Sequence, residues 1–140
     1  MQNLVVFIAN HLLLVYSFAI ALLLLMVVEY MRARNNRVGI NPAQAVQLIN
    51  RQNAVVIDVR SNDTFKKGHI IDALSLTAST LLNGAKPIEK YKKRPIIIVC
   101  HAGMESQKIA ATLLNQGYNA FSLTGGLKAW TSADLPIVKE

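Results

Sequence analysis

From Leu4 to Val28 the sequence reads LVVFIANHLLLVYSFAIALLLLMVV, without one Asp, Glu, Lys or Arg. As an α-helix, a run of that length extends about 37 Å, more than the roughly 30 Å hydrocarbon core of a bilayer. Asn10 and His11 interrupt its first third and fall toward one interface. From Leu12 to Val28 the only interruption is Ser17, whose hydroxyl can return to the helix's own carbonyls. A cleaved secretory signal would need a basic start, a shorter apolar core and small residues before the cleavage point. Here no Lys or Arg precedes Arg32, and the run ends in Leu-Met-Val-Val-Glu-Tyr. A buried helix of a soluble protein would show a polar stripe. The sequence therefore predicts one transmembrane anchor over residues 1–29.

This segment accounts for the excess of apolar residues, 52% of the chain; the rest has an ordinary globular composition, which excludes disordered and fibrous classes. The single cysteine, Cys100, excludes an internal disulfide framework and a Cys-cluster zinc site. Neither a metal nor another cofactor is expected. About 100 residues beyond the anchor suffice for one core.

The net charge of +7 is also local. Arg32, Arg34 and Arg37 follow the apolar run, and Lys86, Lys90, Lys92, Lys93 and Arg94 outweigh Glu89 in KPIEKYKKRP; elsewhere charges cancel. The arginines make residues 30–38 a basic juxtamembrane linker that can touch anionic lipid. By the positive-inside tendency they place the domain in the cytoplasm and the N-terminus outside, at an inner or plasma membrane. A lone free thiol agrees with a reducing compartment. The second cluster reads as a solvated loop, with lipid headgroups as its functional alternative. Tyr91 stands alone among these bases, so no nucleic-acid groove is expected.

Residues 39–140 read as strands alternating with helices. Asn41-Pro42 is a helix start, followed by an apolar face of Ala45, Val46, Leu48 and Ile49 to about Arg51. Residues 54–59 form a buried strand ending at Asp58 and Arg60, and residues 61–67 a turn with a brief helix. Residues 73–76 form a weak strand and 77–82 a short helix. Ile96 to Val99 is the strongest strand. A helix over 106–116 is closed by Gly117, a strand covers 119–123, and a last helix, 127–131, follows Gly125-Gly126. Short apolar strands between helices imply an α/β fold, a parallel sheet covered on both faces.

In such folds ligands meet the carboxyl ends of strands. PIIIVC-HAGME-SQKIAATLL puts Cys100 there, between a strand and a helix. Backbone N–H groups of the loop can converge on an anion held over the sulfur. The positive end of the helix favours negative charge on the sulfur, and Gly103 permits a closed loop. Such a cysteine can attack as a nucleophile and hold a transferred group. The plain alternative is a cysteine that merely fills the core.

At this point the chain resembles the rhodanese-like superfamily, over roughly residues 39–140. The resemblance rests on VVIDVRSNDTFKKGHIIDALSL, IIIVCHAGMES and LTGGLKAWTSADLPI, in order and at the expected spacing. It implies a single rhodanese-like domain behind one transmembrane helix, acting as a sulfurtransferase. Cys100 would take sulfur from a donor such as thiosulfate, hold it as a persulfide, and release it to cyanide or a thiol. The loop amides of His101, Ala102, Gly103, Met104, Glu105 and Ser106 would cradle the persulfide. Ser106 could bond the sulfur, although capping the following helix is the job its position favours. Asp58, Arg60 and His69 fall on signature positions and are read as structural, the first two pairing or bonding loop backbone to support the cradle. Trp130 is expected to pack the last helix onto the sheet.

One residue departs from the pattern. Where many catalytic members have Arg or Lys at the end of the loop, this chain has Glu105. A carboxylate there supplies no cation for thiosulfate and opposes negative charge on the sulfur. Pointing to solvent, it would instead favour the helix N-terminus. The six-residue loop lacks the seventh residue and terminal arginine that a phosphatase or arsenate reductase of this fold needs. A tethered scaffold or thiol sensor for a membrane protein partner remains the alternative to an enzyme. Dimerisation through the anchor has no small-xxx-small pattern to support it.

Overall fold

The apolar segment folds as helices α1 (Gln2–Asn10) and α2 (Leu12–Asn35) in a computed structural model that describes residues 2–35 and 37–140. The helix axis is interrupted at His11, although its N–H still reaches the Phe7 and Ile8 carbonyls at 3.1 and 3.2 Å. Ser17 returns its hydroxyl to the Leu14 carbonyl at 2.9 Å. The stretch long and apolar enough to cross a membrane is Leu12–Ala33, with a mean hydropathy of 2.6 and none of its surface buried. This shifts the expected span of 4–28 toward the C-terminus. Within the expected linker of 30–38, helix continues through Arg32 to Asn35. Nothing in Glu29-Tyr-Met-Arg-Ala-Arg breaks a helix: Pro and Gly are absent and most of these residues are good helix formers. Glu29 and Arg32 pair one turn apart at 3.4 Å. Asn36 of the expected linker lies outside the described residues, as do the side chains of Leu4 and Arg34.

Residues 1–37 and 38–140 are separate compact units. In the second, β1 (Gly39–Ile40) leads into α3 (Pro42–Gln52), whose start is a capping box. Asn41 accepts from the Gln44 N–H at 2.8 Å, and Gln44 accepts from the Asn41 N–H at 2.9 Å. Then come β2 (Val55–Asp58), α4 (Asn62–Lys67), β3 (His69–Ile70), β4 (Leu74–Ser75) and α5 (Ala78–Leu82). A 3-10 helix over Lys86–Tyr91 precedes β5 (Ile96–Val99). The chain ends with α6 (Met104–Asn115), β6 (Ala120–Leu123), α7 (Gly126–Ser132) and β7 (Ile137–Val138). The expected solvated loop takes the form of this 3-10 helix and a turn, with Lys86, Lys90, Lys92, Lys93 and Arg94 all exposed. Pro87 fits its first turn, Ile88 is fully buried, and Tyr91 collects Lys90 and Arg94 at 4.9 and 5.6 Å from its ring.

Five strands form a parallel sheet in the order β1-β6-β5-β2-β4; β3 and β7 pair antiparallel beside it. The strands Val55-Val-Ile-Asp and Ile96-Ile-Ile-Val are buried at every position because both faces are covered. Ile57, Ile96 and Ile98 face α5, the 3-10 helix and α6 through Leu81, Ile88, Ile109 and Leu113. Val56, Ile97 and Val99 face α3 and α7 through Ala45, Leu127 and Trp130. Trp130 is buried on that face, its indole N–H bonded to the Pro136 carbonyl at 3.0 Å. Each fully buried Ile or Leu contributes about 1.5–3 kcal/mol, so both layers are needed.

This topology decides where the chain can act. From β2 the sheet grows one way to β4; from β5 it grows the other way to β6 and β1. The carboxyl ends of β2 and β5 therefore border the crevice where strand order reverses, the usual ligand position in open α/β sheets. Their register pairs Asp58 with Val99, so Asp58 and Cys100 emerge at the same edge.

Candidate functional site

Cys100 follows β5 directly and is 4% exposed. Residues 101–103 turn tightly, and α6 starts at Met104, two residues before the expected start. Gly103 is therefore the residue before the helix, and Ser106 lies in its first turn, not at its cap. That corrects the role favoured for Ser106. Its hydroxyl sits 3.3 Å from Sγ, where it accepts the thiol proton, and it donates to the Gly103 carbonyl at 3.1 Å.

Two loop amides meet the sulfur. The Gly103 N–H donates to Sγ at 3.0 Å and the Ser106 N–H at 3.5 Å. Both suit a sulfur bearing negative charge, because they are fixed donors at the start of a twelve-residue helix. The loop is closed from outside by α7. Its Leu127 N–H donates to the Cys100 carbonyl at 2.9 Å, and the Lys128 N–H to the His101 carbonyl at 3.3 Å.

Two glycines make this closure possible. Gly103 has φ +94°, and a Cβ there would lie 2.8 Å from the Gly125 nitrogen. Gly126 has φ +59°, and a Cβ there would collide with the carbonyl oxygens of Cys100 and His101.

The sequence reading did not single out Ser122. Its hydroxyl lies 2.8 Å from that of Ser106, with Ser122 1% exposed and Ser106 fully buried. The chain Ser122–Ser106–Sγ lets Ser106 turn its proton toward an anionic sulfur while Ser122 donates to Ser106. A serine amid the apolar residues of Ala-Phe-Ser-Leu, two places after Ala120 and thus on the α6 face, was the available signal.

The remaining site residues divide. Ala102, Met104 and Glu105 are exposed, and Glu105 forms no ion pair among the described residues. His101 is exposed and lines a neighbouring groove. His69 is buried; its Nδ1 lies 2.9 Å from the Phe65 carbonyl and its ring stacks on Phe65 at 3.7 Å.

Asp58 and Arg60 form a buried clamp. Arg60 Nη2 donates to Asp58 Oδ2 at 2.6 Å and Nε to Oδ1 at 2.9 Å, with side chains 8% and 1% exposed. The clamp reaches the Gly68 carbonyl at 2.7 Å. The two residues pair, as one of the expected alternatives had it, and the backbone they hold is the turn after α4 at Gly68.

Comparison with known proteins gives this geometry a family. The model of the rhodanese-like domain matches residues 41–133. The uncharacterized protein YibN of Escherichia coli (strain K12) is 34% identical, with 99% of each chain covered. Thiosulfate sulfurtransferase GlpE of Pseudoalteromonas translucida is 35% identical, over 67% of this chain and 89% of its own. Among solved structures, a rhodanese-related protein from Thermoplasma volcanium is similar at a TM-score of 0.66 and 25% identity, covering 73% of this chain and 98% of that one. The family model over residues 41–133 and these relatives show that the chain belongs to the rhodanese-like family.

Proposed function

We propose that this chain is a sulfurtransferase that carries sulfane sulfur on Cys100, held at a membrane by Leu12–Ala33. The observation that carries this reading is the buried sulfur facing the Gly103 and Ser106 amides at 3.0 and 3.5 Å. With thiosulfate, the Cys100 thiolate attacks the outer sulfur, forming the Sγ–S bond. The S–S bond of thiosulfate breaks and sulfite leaves with the electron pair. An acceptor thiolate then attacks the outer sulfur of the persulfide, and Sγ departs as thiolate. The two amides take up the negative charge at each stage, and Ser106 can turn its hydroxyl to the sulfur. No external oxidant or reductant is required. Arg32 and Arg37 favour a cytoplasmic domain with the N-terminus outside, and suit contact with anionic lipid.

Incubating the full chain in detergent with thiosulfate or a small persulfide should add about 32 Da to Cys100, and Cys100→Ser should carry no adduct. An unmodified Cys100 with every donor overturns the proposal; co-purification of a membrane protein would then favour a tethered scaffold or thiol sensor.

Glu105 adds a second expectation. Exposed in the first turn of α6 and with no ion pair among the described residues, it disfavours a dianionic donor. Glu105→Arg should raise the rate of Cys100 loading by thiosulfate about tenfold or more, and loading by a neutral persulfide much less. Equal thiosulfate rates for wild type and variant in stopped-flow loading would show that Glu105 has no such influence.

A further inference from the structure

We propose that the groove between α4 and α7 is the binding site for the carboxylate end of an acceptor thiol that takes sulfur from Cys100. This rests on the sulfur-transfer reading and adds the class of acceptor. The groove has a volume of about 290 Å³ and opens beside the loop at His101. It lies at the carboxyl ends of β2, β5 and β6, where the segments carrying Arg60, His101 and Leu127 meet.

Three cations converge on it: Arg60, Lys67 and Lys128. No carboxylate lines it, and neither lysine forms an ion pair among the described residues. Arg60 carries the most information. Its side chain is only 8% exposed, and every hydrogen bond of its guanidinium uses Nε or Nη2, to Asp58 and Gly68. No buried side-chain nitrogen lacks a partner among the described residues, so Nη1 is open to solvent, and Arg60 is one of the residues that line the groove. A guanidinium held rigidly on one side with a free edge on the other is a preorganised carboxylate receptor.

The rest of the lining selects the ligand's shape. Leu127 and Ile137 supply apolar wall, suited to a short alkyl chain between carboxylate and sulfur. Thiosulfate has no such chain. Cationic charge withheld from the loop end by Glu105 is thus provided on the α4–α7 side. The acceptor's sulfur would lie toward Cys100, whose carbonyl the Leu127 N–H already holds at 2.9 Å.

Discharge of the Cys100 persulfide tests this with two thiols of similar size, mercaptosuccinate and thioglycerol. The ratio of their rates should fall about tenfold in the Lys67→Glu, Lys128→Glu chain, and stay at the wild-type value in Arg51→Glu, at the far end of α3. Arg60 is left in place because its removal would strand Asp58. A second measurement needs no persulfide. The unreactive 2-(methylthio)succinate should slow alkylation of wild-type Cys100 by iodoacetamide, and should protect the double variant far less. If Cys100 loads sulfur but ratio and protection match wild type in the double variant, the groove assignment is overturned. If Cys100 never loads yet protection depends on the two lysines, the groove stands as an anion site and the sulfur-transfer reading falls.

Discussion

Replacing Asp58 with alanine is expected to cost the domain about 3–5 kcal/mol, much of the stability available to a fold of this size. The reason is the charge left behind. Arg60 is nearly as buried as Asp58, and its Nε and Nη2 would lose the carboxylate that compensates their burial. The pair itself adds little over a well-packed apolar pair, because desolvating two ions offsets most of their attraction. Asp58→Leu combined with Arg60→Met should therefore recover most of the loss, although the Gly68 carbonyl forfeits its bond at 2.7 Å. Thermal unfolding should show a fall of more than about 10 °C for the single variant and a much smaller one for the double. A single variant that melts with wild type would mean that water reaches Nε and Nη2 of Arg60 and the clamp is not a buried pair.

Gly126→Ala should be the other severe substitution, acting on stability and site together. The αL conformation at φ +59° costs an alanine about 1 kcal/mol. The added Cβ would also meet two carbonyl oxygens that cannot swing aside like a flexible side chain. They belong to Cys100 and His101, and they accept the Leu127 and Lys128 amides that close the loop. Relief must come from moving α7 away from the loop or the loop away from Gly103 and Ser106. A loss of about 2–4 kcal/mol is expected, with an altered rate of Cys100 alkylation in the fraction still folded. Unchanged melting and alkylation would show that the α7 contact does not shape the loop.

What could be read in the sequence was whatever rests on local rules. Asn41-Pro42 and Gln44 announce a helix start by their own hydrogen bonds. Ile96 to Val99 has no polar face, so as a strand it must be covered on both sides. The uncharged run before Glu29 announces a helix long and apolar enough to cross a membrane, and the position of Cys100 between strand and helix follows from chain order.

Other features depended on partners distant in the chain. The strands β1, β3 and β7 have two residues each and exist because of their neighbours, as Gly39 does opposite Ser122 and His69 opposite Val138. Helix α2 continues past the apolar run to Asn35 because helical hydrogen bonding goes on until a breaker intervenes, which hydrophobicity does not mark.

The chemistry divides along the same line. Residue types and spacing alone determined a cysteine in a tight strand-to-helix loop and the family resemblance, against whose pattern Glu105 stands where many members have a cation. Only the tertiary structure decided that the Ser106 hydroxyl meets the sulfur and is not the helix cap, that Ser122 stands behind it, and that Arg60 is tied to Asp58 and Gly68. Hydrogen bonds between separate elements settle those roles, and sheet register and helix docking place their donors and acceptors to within an ångström, which no local pattern encodes.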